Sequence, residues 1–161
     1  MDTGKLTVLA VNADTRFHIA RDAYLEEDID EYSVRVSFYR NCVRDIEEAL
    51  FLSNDFLDEK FYFLGVVQVE LAELLSGVQR RELLERAIGN LECAVQRNGD
   101  EWDYYRLGEA QVSLAEEVFD GARRQALYES AVINLQRSYE LDKDPDVRDY
   151  LQEVVEDLSL E

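Results

Sequence analysis

Proline occurs once in the 161 residues, glycine seven times, cysteine twice and histidine once. So few turn-forming residues argue against a sandwich or barrel, and the long stretches rich in Leu, Glu, Ala and Arg favour an all-helical fold. No apolar run approaches the roughly 20 residues of a membrane span, and residues 1–14 lack the basic start of a secretory signal. Cys42 and Cys93 stand far apart, with no CxxC and no nearby histidine. In helical, apolar surroundings they read as small hydrophobes rather than as a disulfide framework or zinc site. These absences point to a soluble protein of a reducing, cytoplasmic compartment. The same scarcity argues against an enzyme. His18 has no nucleophile near it in sequence and no Glu three residues before it, and no GxSxG, P-loop, GxGxxG or HExxH occurs. The acidic stretch Asp28-Ile29-Asp30 lacks the glycine and closing glutamate of a calcium loop. No catalytic residue, cofactor or metal ligand is expected.

Positive charge is scarce too. Lysine appears only as Lys5, Lys60 and Lys143, and 17 basic residues against 36 acidic ones leave a formal charge of −19. That balance opposes binding to nucleic-acid phosphates or anionic membranes and favours encounter with basic partners. Acidic solvated helix faces carry the same signature, as do the Asp/Glu-rich, Lys-poor surfaces of proteins from salt-rich cytoplasms. An apolar fraction of 47% is too high for a disordered chain, and the length suits one domain with a sizeable core.

What the chain does have is a repeat. Phe61-x-x-Leu64-Gly65-x-x-Gln68-Val69-x-Leu71-Ala72-Glu73 returns 43 residues later as Tyr104-x-x-Leu107-Gly108-x-x-Gln111-Val112-x-Leu114-Ala115-Glu116. Downstream, Ala87, Asn90 and Leu91 return as Ala131, Asn134 and Leu135, 44 residues on. Between them Gly77 with Arg80-Arg81 is answered by Gly121 with Arg123-Arg124, so each unit reads helix, glycine-marked turn, helix. A weaker copy covers residues 17–54, carried by Phe17, Ala20, Cys42, Ile46 and Ala49. Helices are expected near 14–27, 32–53, 57–76, 79–98, 101–119, 122–141 and 146–158. Ser76-Gly77, Asn98-Gly99 and Asp120-Gly121 are the expected breaks, with glycine available for positive φ. Residues 1–13 read either as an extended N-terminal arm or as a backward continuation of the first helix.

The frame aromatic-x-x-Leu-Gly, followed by Ala-x-x-x-Leu-x-x-small on the next helix, resembles the tetratricopeptide repeat. Phe61, Leu64, Gly65, Ala87, Leu91 and Ala94 stand at that family's packing positions, and Tyr104, Leu107, Gly108, Ala131, Leu135 and Ser138 do so again. Units of about 44 residues rather than 34 require longer helices, and Gln68 and Gln111 replace the family's Tyr. The resemblance implies a right-handed α-solenoid of three antiparallel hairpins, over about 14–55, 56–99 and 100–144. A C-terminal capping helix over 146–158 completes the single domain, 14–161. Independently of the family, Gly65 and Gly108 each cost about 1 kcal/mol in mid-helix relative to Ala, which a close approach of the paired helix at Ala87 or Ala131 would justify.

The family binds peptides or helices in a concave groove lined by each unit's first helix. Counted along this frame, the groove would be lined by Phe17, Arg21 and Tyr24, then Tyr62, Val66, Val69 and Glu70, then Trp102, Tyr105, Glu109 and Val112. The Lys, Asn and Arg pattern that clamps a C-terminal carboxylate is absent, so the resemblance implies an apolar or basic peptide or helix segment of another protein as occupant. Residues 61–67 are all apolar or glycine. Such a helix is either buried between neighbours or covered by a ligand or a second copy of the chain. The Arg pairs read either as a small basic spot or as partners of helix acids such as Glu82 and Glu85. Three functions follow: an adaptor or cargo chaperone, an acidic nucleic-acid-mimicking inhibitor of a basic protein, or a structural subunit of a larger assembly.

Overall fold

The computed structural model describes residues 32–52 and 57–159, together with Thr15. The expected N-terminal arm and first helix, with Phe17, Arg21 and Tyr24, lie outside the described residues. The described chain is all-helical: α1 (Tyr32–Leu52), α2 (Leu57–Glu73), α3 (Gly77–Arg97), α4 (Glu101–Glu117), α5 (Gly121–Asp142) and α6 (Pro145–Ser159). Among the described residues no helix is long and apolar enough to cross a membrane.

Apolar residues at helical spacing dictate how these helices meet. Each packs against the next in the chain, and α2 also meets α4. Leu64, Val67 and Leu71 of α2 face Tyr39, Cys42, Val43, Ile46 and Ala49 of α1. The other side of α2, Val66 and Val69, joins Leu84, Ala87 and Leu91 of α3 and Leu107, Ala110 and Leu114 of α4. Val112 and Ala115 then pack with Tyr128, Ala131 and Leu135 of α5 and Val154 of α6. Three neighbours thereby bury residues 64–67 of the all-apolar stretch, while Phe61, Tyr62 and Phe63 stay partly exposed.

The sequence repeat recurs as geometry. A Cβ on Gly65 would lie 2.5 Å from Leu91 Cγ and 3.3 Å from the Ala87 carbonyl oxygen. On Gly108 it would lie 2.8 Å from Leu135 Cγ and 3.3 Å from the Ala131 carbonyl oxygen. Both glycines are thus held by close approach of the following helix, at the expected alanines. Beside them Asn90 donates to Gln68 at 2.8 Å, and Asn134 donates to Gln111 at 2.8 Å.

The ends are set by caps. Asp100 and Asp103 form a capping box at the start of α4, and Asp120 accepts from the Arg123 N–H at the start of α5. Gly77 and Gly99 adopt the expected positive φ, at 61° and 66°, but Gly121 does not. There the aspartate cap does the turning. The left-handed residue that closes α5 is instead Lys143, at φ 59°, with Pro145 opening α6 two residues later. Helix α2 stops at Glu73, short of the expected 76, because the chain tightens: Leu74 and Leu75 donate to Leu71 and Ala72, three residues back.

Candidate protein-binding face

Side-chain contacts separate the helices into two lines. Along one, Arg86 of α3 pairs with Glu47 of α1, and Arg123 of α5 pairs with Glu85 of α3 at 2.6 Å. Along the other, the Arg106 guanidinium on α4 stands close enough to the Tyr62 hydroxyl on α2 to oppose the rise in its pKa, and Tyr105 on α4 meets Tyr150 on α6 with ring centroids 6.2 Å apart. Arg106 precedes Leu107 as Tyr150 precedes Leu151, 44 residues on, so the two contacts are repeats of one arrangement. Three of the four arginines in the turn pairs, Arg80, Arg123 and Arg124, are spent internally. Arg80 lies 3.0 Å from Glu117, Arg123 takes Glu85, and Arg124 donates to the Val118 carbonyl at 2.9 Å and 3.1 Å.

The even-numbered line carries the expected groove residues, but not all of them at the surface. Val66, Val69 and Val112 are only 2%, 2% and 7% exposed and belong to the core. Their expected place in an open groove is corrected: each fills the junction between its own helix and the next even-numbered one. Tyr62, Glu70, Tyr105 and Glu109 are half-buried, and Trp102 is open at 53%. Trp102 stands against Tyr105 at near right angles, and Arg106 lies over the Tyr105 ring while donating to Glu109 at 2.7 Å. Tyr150 of α6 joins this aromatic line although the repeat count did not include it. Its signal was the apolar stripe of the last helix.

The field along the line is negative. Burial pushes the Tyr105 hydroxyl above its usual range, and Glu109, Asp144 and Asp146 push it further against the opposing Arg106. Burial likewise raises Tyr150, helped by Glu109, Tyr105, Glu116 and Glu153. Tyr62 is raised by burial, with Arg106 opposing and Asp103 and Asp100 assisting. One arginine therefore stands among carboxylates contributed by α4, α6 and their preceding turns. Such a surface can offer aromatic area to an apolar side chain and carboxylates to a cationic one. Among the described residues, no group of three or more His, Cys, Asp or Glu is placed to hold a metal ion.

A scan against protein-family models and a search of curated proteins both find no match for this chain.

Proposed function

We propose that the chain is a non-catalytic protein-interaction module, an adaptor or cargo chaperone that holds a basic or apolar partner segment along the face of α2, α4 and α6. In this reading the helices form a tetratricopeptide-like, right-handed solenoid of three hairpins with α6 as its cap. The observation that carries it is the line Tyr62, Trp102, Tyr105 and Tyr150, partly open and ringed by carboxylates. Aromatic residues of this kind dominate interface energies, and surrounding acids speed encounter with a basic target.

The test is binding to a panel of basic amphipathic peptides, for the wild type and for a Tyr62→Ser/Tyr105→Ser variant, at low and high salt. The adaptor reading expects at least a tenfold loss of affinity in the variant, with helicity retained. The net charge of −19 favours a second reading, the acidic nucleic-acid mimic. Under that reading binding collapses with salt and ignores both tyrosines.

A further inference from the structure

Trp102 is the only tryptophan in the chain. It forms a corner with Tyr105, the two rings 6.3 Å apart at 84°. Glu101, Ser138, Asp142, Asp144 and Val147 line this corner with the two rings. The Ser138 hydroxyl is already committed, donating to the Glu101 carbonyl at 2.8 Å. Among the described residues none of the three carboxylates is paired with a Lys or Arg.

Helix α5 ends at this corner, and its last turn carries no basic residue although Glu140 and Asp142 lie there. Glu140 is taken by Arg137 at 3.3 Å, so the negative end of the helix dipole meets Asp142, Glu101 and Asp144 here, where a cation would be stabilised. Lys143 does not supply it, since its ammonium lies over the Tyr139 ring at 4.8 Å. Elsewhere the chain covers aromatic rings with its own cations: Arg97 over Phe61 at 5.3 Å and Arg106 over Tyr105 at 5.9 Å. Trp102, the best of the aromatic acceptors, has no such partner among the described residues and is half open.

We propose that this corner seats one arginine side chain of the bound segment, its guanidinium over Trp102 and its N–H groups on Asp142 and Asp144. Arginine suits it better than lysine because a planar, weakly hydrated fork can stack on the ring and donate to two carboxylates at once. The inference rests on the adaptor reading and fixes one point of the occupant's chemistry.

Trp102 emission reports on the corner directly. The full chain is titrated at constant ionic strength with acetyl-Gly-Arg-Gly-amide, and in parallel with its citrulline and lysine counterparts. The proposal expects a saturable change with arginine, at least tenfold weaker with neutral citrulline and about threefold weaker with lysine. An Asp142→Asn/Asp144→Asn variant should weaken the arginine response at least threefold. It spares the turn, because the amide replacing the Asp144 carboxylate keeps an oxygen that accepts from the Asp146 N–H. A non-saturating change shared by citrulline, a response indifferent to both aspartates, or lysine binding as tightly as arginine overturns it. If the corner fails while Tyr62→Ser still weakens the longer peptides, this inference alone falls. If Tyr62→Ser is silent while arginine saturates Trp102, the groove reading falls and the corner stands.

Discussion

At the residue scale, two glycines with opposite surroundings separate packing from helix propensity. Gly65 has Leu91, fully buried, within 2.5 Å of where its Cβ would sit, whereas Gly89 on α3 has nothing within 4 Å. Alanine favours a helix interior over glycine by about 1 kcal/mol, and overpacking a core costs about 1–3 kcal/mol. Gly89→Ala should therefore stabilise the fold by about 1 kcal/mol, and Gly65→Ala should destabilise it despite the same propensity gain. Denaturant midpoints of the two variants check both signs. Asp103 gives a second residue-scale test. It is 3% exposed and accepts from the Gly99 and Asp100 N–H groups, yet burial first and Asp100 second raise its carboxyl above 3.8. A raised folded-state value means that the folded chain binds the proton more tightly, so this group's contribution to stability grows as pH falls through the raised value toward 3.8. Asp103→Asn removes that contribution. Wild type should gain on the variant between neutral pH and pH about 4, measured as the difference of two unfolding curves; a constant difference would contradict it.

At the scale of the element, helix periods and breaks were legible because apolar spacing and caps are local. The close helix–helix approach at Gly65 and Gly108 was legible too, since a repeated glycine in mid-helix demands a neighbour. The Asn90–Gln68 and Asn134–Gln111 bonds were not, although all four residues stood in the repeat; nothing in spacing alone says that two repeated polar residues face each other across a hairpin. The groove count misplaced Val66, Val69 and Val112 because it assumed a free face, and α2 and α4 each have packed neighbours beyond their hairpin partner. The positive φ of Lys143 leaves no mark in the sequence, since lysine is not a residue type that favours it. Its left-handed conformation costs an L residue about 1–2 kcal/mol, offset in part by the chain entropy a glycine would lose. Lys143→Gly should raise stability by about 0.5–1 kcal/mol, read as a higher thermal midpoint.

For the whole molecule, the two lines of helices divide the chemistry. The odd-numbered line is tied by exposed ion pairs, Arg86–Glu47 and Arg123–Glu85, each contributing about 0.2–1 kcal/mol. The even-numbered line carries partly open aromatic rings in a field of carboxylates, with Arg106 held between Tyr62 and Glu109. Sequence alone supplied the helical class, the repeat and most of the aromatic residues of that line. It did not supply Tyr150 as a member, which depends on how α6 returns against α4. The most direct test of the central claim is to map, by backbone and aromatic NMR shifts, where a basic amphipathic peptide contacts the full chain. The account predicts the largest changes at Tyr62, Trp102, Tyr105 and Tyr150, with Glu47, Arg86, Glu85 and Arg123 little altered. Changes concentrated on the odd-numbered line, or spread evenly over the acidic surface, would contradict it.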